Sequence, residues 1–165
     1  MKYFLKSLIV LCLIAILCGT TGCSKDVEKA IKQEKYSATA SIITTNGAVT
    51  ISGETTDKIS GSDISASLYL SYTVVDILNT PDIYMELADE LGEEYDYQSL
   101  QNSFVVARRS EDTLFVDITY SNSDPKKAID IANKFAEFAC DYIPEFIPSA
   151  RVSIVSKATK AQKQG

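Results

Sequence analysis

"FVVARRSEDTLFVDITY" (residues 104–120) holds two short runs of β-branched and aromatic residues joined by Ser110-Glu111-Asp112. In the second run Leu114, Val116, Ile118 and Tyr120 alternate with Phe115, Asp117 and Thr119. Successive side chains of a strand point to opposite faces, so the alternation predicts a β-hairpin packed on one face only. The flanking sequence supplies further strands. Upstream, YSATASIITT (36–45) is rich in β-branched residues and reads as a strand. Asn46-Gly47 is a strong two-residue turn signal, so AVTISGE (48–54) is expected to return as a second, short strand before the loop TTDKISGS. Downstream, ARVSIVS (150–156) reads as the last strand.

Helical patterns separate these strands. Ser60 and Asp63 have capping-box spacing, and after them Ile64, Leu68, Tyr72, Val75 and Leu78 recur at intervals of three and four. That places all five on one helix face, the expected buried stripe. Pro81 suits the first turn of another helix, with Ile83, Leu87 and Leu91 inward and Gly92 as its stop. YDYQSLQN predicts a short helical turn. Asp124-Pro125 caps and opens a longer helix with Ala128, Ile131, Phe135, Phe138, Ala139 and Tyr142 inward, and Pro144 and Pro148 bracket its exit. The order β–α(α)–β–β–α–β predicts an α+β, ferredoxin-like βαββαβ sandwich, an antiparallel sheet with helices on one face, after an N-terminal signal helix. KATKAQKQG at the C-terminus is polar, and residues 159–165 are expected to be a disordered tail.

The N-terminus has a different character. Lys2 and Lys6 precede the unbroken apolar run Leu8–Cys18, which is short for a bilayer span of about 20 residues and suits a signal core. Small residues then lead to Thr-Thr-Gly-Cys, which resembles the lipobox of bacterial lipoproteins, with Thr20 where leucine is commonest. Residues 1–22 are thus expected to be a lipoprotein-type signal peptide cut after Gly22, and Cys23 the lipidated first mature residue. Two acyl chains on that thiol would anchor the protein to a membrane stably. Residues 23–35 form a lipidated tether, and 36–158 the folded domain facing outside the cytoplasm. Cys12 and Cys18 leave with the signal, so Cys140 alone remains, expected as a buried, inert thiol.

Charge is uneven in a chain of net −6. Residues 36–148, with 6 basic and 19 acidic side chains, are net −13, whereas 149–165 carry Arg151, Lys157, Lys160 and Lys163 and no acid. Basic ends around an acidic body suit proximity to an anionic membrane surface, and the acidic body argues against nucleic acid as a partner. The chain has no histidine, which removes the commonest general base and metal ligand. No phosphate-binding glycine loop is present. The acidic run ADELGEEYD (88–96) lacks the ligand pattern of a calcium loop and reads as a solvated helix end. Tyr95 and Tyr97, flanking that run, are the tyrosines expected to be exposed. No catalytic residue, metal site or cofactor is predicted.

SDISASLYLSYTVVDILNTPDIYMELADELG (62–92) and LQNSFVVARRSEDTLFVDITYSNSDPKKAIDIANKFAEFA (100–139) resemble the chain-length determinant domain of Wzz-type polysaccharide co-polymerases. The matching features are the YxAxA strand at Tyr36–Ala40, the helix opening on Ser62-Asp63-Ile64, and Asp112-Thr113 at the turn of a strand pair. Most specific is the "DP…A…IAN" helix at Asp124-Pro125, Ala128 and Ile131-Ala132-Asn133. The resemblance implies a non-enzymatic, extracytoplasmic protein that self-associates or joins polysaccharide assembly proteins and sets the length of capsule or exopolysaccharide. Arg108 and Arg109 are candidates for assembly contacts with acidic helices. Family members usually carry a transmembrane helix at each end of the domain. Here a lipoprotein-like signal stands at the first, and no second span, proline-rich segment or kinase-engaging tail follows, which points to an accessory role. The rival reading is a surface lipoprotein that binds a ligand or protein unrelated to polysaccharide.

Overall fold

In a computed structural model, which describes residues 34–46 and 61–165, the hairpin over 104–120 forms as its alternation requires. Strands β2 (Phe104–Arg108) and β3 (Phe115–Asn122) pair antiparallel, with Val106 opposite Ile118 and Phe104 opposite Tyr120. Strand β1 (Tyr36–Asn46) lies on the other side of β3, and β4 (Ala150–Ser156) pairs antiparallel with β1. The order β2-β3-β1-β4 is that of a ferredoxin-like sheet, with a fifth, short strand β5 (Gln162–Lys163) added on β1. Four helices complete the described chain: α1 (Gly61–Leu78), α2 (Pro81–Leu91), α3 (Tyr97–Ser103) and α4 (Pro125–Phe146). The compact unit runs from Glu34 to Gly165.

The core lies between the helices and one face of the sheet. Ala38, Ala40 and Ile42 of β1, Val116 and Ile118 of β3, and Phe104 and Val106 of β2 all point into it. Helix α4 covers the middle strands with Ala128, Ile131, Ala132, Phe135, Ala136 and Ala139. Phe135 is fully buried at the centre of an aromatic cluster, its ring 4.7 Å from Phe104 in an edge-on arrangement and 5.6 Å from Tyr84. The small alanines on the same face bring the helix close to the strands.

Local signals account for the element ends. Asp124 accepts a hydrogen bond from the Lys126 N–H (2.8 Å) and Pro125 opens α4. Gly92 closes α2 at φ 105°, a conformation that L side chains rarely adopt, while its N–H donates to the Ala88 carbonyl. Asp96 caps α3 by accepting from the Ser99 N–H at 2.9 Å.

Three expectations need correction. The buried face of α1 runs through Ser67, Ser71, Val74 and Leu78, rotated from the apolar stripe the spacing suggested. Of that stripe only Leu78 is buried; Leu68 and Val75 are half-buried, and Ile64 and Tyr72 are exposed. The reason is close approach to β1: the Ser67 hydroxyl accepts a hydrogen bond from the Asn46 N–H at 3.1 Å, and Ser71 returns its hydroxyl to the Leu68 carbonyl. Phe138, expected inward on α4, is only half-buried, stacked on Tyr142 at the margin of the core. The exit of α4, by contrast, falls between Pro144 and Pro148 as expected, the helix ending at Phe146. Pro144 sits in the last turn, where the Ile147 N–H still reaches the Ile143 carbonyl at 2.9 Å.

The third correction concerns the C-terminus. Residues 159–165, expected to be a disordered tail, include β5, with Tyr36 opposite Lys163 and Ser37 opposite Gln162. Ala158 is buried just before it, and the Gln164 N–H donates to the Lys35 carbonyl. The tail is polar because it lies along a sheet edge. Its order comes from main-chain pairing, to which hydropathy is blind. The predicted signal peptide, most of the tether, the capping residue Ser60 and the return strand AVTISGE lie outside the described residues.

Candidate binding site

The site grows out of an interruption in the sheet. β4 pairs with β1 as far as Ser41 opposite Ser156, with a register irregularity between Ser41 and Ile42. β5 resumes pairing at Ser37. Between them, among the described residues, no strand faces Ala38–Ala40 on that edge of β1, and residues 157–161 leave the ladder. Asn133 of α4 holds them there. Its side-chain amide donates to the Ala158 carbonyl (3.0 Å) and accepts from the Ala158 N–H (2.7 Å). That two-point clamp turns Ala158 inward and leaves a recess of about 250 Å³ outside it.

The recess is lined by Ser37, Thr39, Ser156, Lys157, Thr159, Lys160 and Gln162. Two cations, four hydroxyls and a carboxamide face one another with no carboxylate among them, in a chain of net −6. Lys157 already pairs with Glu137 at 2.6 Å, and Thr39 shares a hydrogen bond with Thr119. The side chains of Ser37, Ser156, Thr159, Lys160 and Gln162 have no hydrogen-bond or ion-pair partner among the described residues. Among the described residues nothing occupies their donors and acceptors. Chemically the recess can bind a ligand through its ammonium groups and its hydrogen-bonding side chains.

Outside the recess, both arginines of the hairpin are already engaged, Arg109 on the open face and Arg108 on the helix-covered side. Arg109 forms an ion pair with Asp117 (2.8 Å) and donates to the Ser41 hydroxyl, which itself donates to Asp117 at 2.6 Å. Burial pushes the Asp117 carboxyl up, but the bonds from Arg109 and Ser41 and the guanidinium charge outweigh it, and the net shift is downward. Arg108 lies over the Tyr72 ring at 3.6 Å and donates to the carbonyls of Ser110, Glu111 and Thr113, closing the hairpin loop. Both arginines proposed as assembly contacts are thus held by groups of their own chain, because a tight hairpin loop offers carbonyls that a guanidinium fork can reach.

Cys140 is half-buried on α4, and burial, followed by the charges of Asp141 and Glu137, pushes its thiol up to about 11. Tyr95 and Tyr97 pack partly against the core; the exposed tyrosines are Tyr69 and Tyr72, on the outward face of α1. In the acidic run, Asp96 serves as the cap of α3 and Glu94 approaches Lys127 at 3.9 Å. Gly22 and Cys23, the predicted cleavage and lipidation positions, lie outside the described residues. Among the described residues no helix is long and apolar enough to cross a membrane. The recess itself was not legible in the sequence. Its one trace is a row of lysines and hydroxyl residues without acids over 156–163.

No protein-family model matches the chain. It is similar to the capsular polysaccharide biosynthesis protein CapA of Staphylococcus aureus, 28% identical over 109 residues, which are 65% of this chain and 48% of that protein. It is also similar to the capsular polysaccharide type 5 biosynthesis protein cap5A of Staphylococcus aureus strain Newman and the type 8 protein cap8A of Staphylococcus aureus. Each is 26% identical over 96 residues, 58% of this chain and 43% of the relative. The chain spans about half the length of the curated relatives it matches, and the similarity is low throughout.

Proposed function

We propose that this chain is a non-enzymatic, membrane-anchored protein of surface polysaccharide biosynthesis, held outside the cytoplasm by lipid on Cys23. In this reading it modulates the chain length or export of a capsule or exopolysaccharide as an accessory to the assembly that makes the polymer. The observation that carries it is the similarity to three capsular polysaccharide biosynthesis proteins. The ferredoxin-like sheet fits the resemblance to chain-length determinant domains, whose most specific segment is the helix opened by Asp124-Pro125. The Thr-Thr-Gly-Cys sequence supports the lipid anchor.

Deleting the gene and resolving the surface polysaccharide by size tests the proposal, with wild-type and Cys23→Ala chains returned on a plasmid. The expected result is a shifted length distribution or amount, restored by the wild-type chain and not by Cys23→Ala. An unchanged polymer would overturn the reading, and full rescue by Cys23→Ala would overturn the anchored form of it.

A further inference from the structure

We infer that the recess between β1 and the 157–162 segment binds a single anionic saccharide unit, a sugar ring bearing a carboxylate. This deepens the polysaccharide reading and rests on it for the source of the sugar; the chemistry of the recess stands on its own.

Three features select the ligand. The first is charge: among the described residues Lys160 has no ion-pair partner and no acid lines the recess, while Lys157 is shared with Glu137. One available ammonium favours one anionic group. The second is hydrogen-bonding type. A lysine only donates, so lysines alone would suit any anion, but Ser37, Ser156, Thr159 and Gln162 can both donate and accept. Accepting groups have no use toward a bare carboxylate, and inorganic phosphate near neutral pH offers them only one or two protons. They suit a ligand that brings hydroxyl protons of its own. The third is size: about 250 Å³ falls below the roughly 300–1,000 Å³ typical of drug-sized ligands, which leaves room for one ring.

The edge of β1 facing the recess adds main-chain capacity over Ala38–Ala40, where neither β4 nor β5 pairs. Three residues are too few for an added peptide strand, so the open edge serves a compact ligand rather than another chain. The clamp from Asn133 fixes the recess in shape before anything binds, which lowers the entropic cost of binding.

The test is an amide NMR titration of the full chain in nonionic detergent micelles with three probes: sodium glucuronate, glucose and inorganic phosphate. Glucuronate is expected to shift the amides of Ser37, Thr39, Ser156, Thr159 and Gln162, and to bind about tenfold more tightly than either other probe. Lys160 is exposed, so Lys160→Ala leaves the fold intact and should weaken glucuronate about tenfold, while glucose binding is unchanged. Phosphate equal to glucuronate would show that charge alone is read, and glucose equal to glucuronate that the cation is idle; either overturns the inference. So does a titration that leaves the recess amides unmoved, or one that Lys160→Ala leaves unaltered. The recess assay contains no polymerising machinery, so its failure beside an altered polymer in the deletion strain would sink this inference and spare the proposed function. Binding beside an unchanged polymer would do the reverse.

Discussion

The two faces of the sheet are made by the same strands and hold together by different physics. On the helix-covered face, Ala40, Ile42, Val116 and Ile118 are fully buried, and stability there comes from removing apolar surface from water. One residue along, on the open face, Thr39, Ser41, Asp117 and Thr119 are linked by hydrogen bonds and by the ion pair to Arg109. The first face tolerates no polar intrusion without a cost; the second is wet, and its bonds compete with water. Period-two alternation can therefore divide labour within one strand, with packing on one side and recognition on the other.

Cutting into the covered face should have the largest effect. Phe135→Ala removes the ring at the centre of the aromatic cluster and should cost about 3–5 kcal/mol, read as a drop in the urea midpoint. A cost below about 1 kcal/mol would mean that this cluster is not the centre of the core.

Asn133→Ala joins the two faces, because a helix residue shapes the recess on the other side of the sheet edge. It strips both hydrogen bonds from buried Ala158 and should cost about 1–3 kcal/mol. Hydrogen exchange should locate the damage, with the Gln164 amide losing protection while those of β2 and β3 keep theirs. Uniform loss across the sheet would count against a local clamp.

The smallest effect is expected on the open face. Asp117→Asn keeps the shape and removes the charge. Both partners are partly exposed, with Arg109 48% accessible, so the loss at neutral pH should stay under about 1 kcal/mol. The pH dependence is more diagnostic. The folded carboxyl titrates below its ordinary value of 3.8, so its contribution is present above that pH and is lost as pH falls through the folded value. Melting temperatures at pH 7 and pH 3 should therefore differ less in the variant than in the wild type. An equal acid drop in both would remove Asp117 from the account.

How far the sequence could be read depended on the range of the interactions involved. The hairpin, the Asp124-Pro125 helix start and the Gly92 stop rest on contacts within a few residues, and each formed as expected. The face of α1 was misread because its apolar spacing is real but turned partly toward solvent, with Ile64 and Tyr72 exposed. Only contact with β1 shows that Ser67 and Ser71, small enough for close approach, take the inner side. Arg108 and Arg109 read in the sequence as candidates for assembly contacts with acidic helices, whereas the folded chain gives Arg108 backbone carbonyls and Arg109 the Asp117 carboxylate.

By itself, then, the sequence determined the α+β class, the order of elements and the packed face of the hairpin, since periodicity and capping are short-range properties of the chain. Tertiary structure alone decided the tail, where Lys35 meets Gln164 and Asn133 meets Ala158 across long separations. A polar segment carries no hydropathic sign of such pairing. The recess exists only because β4 ends, the chain detours through Ala158, and β5 returns to the same edge.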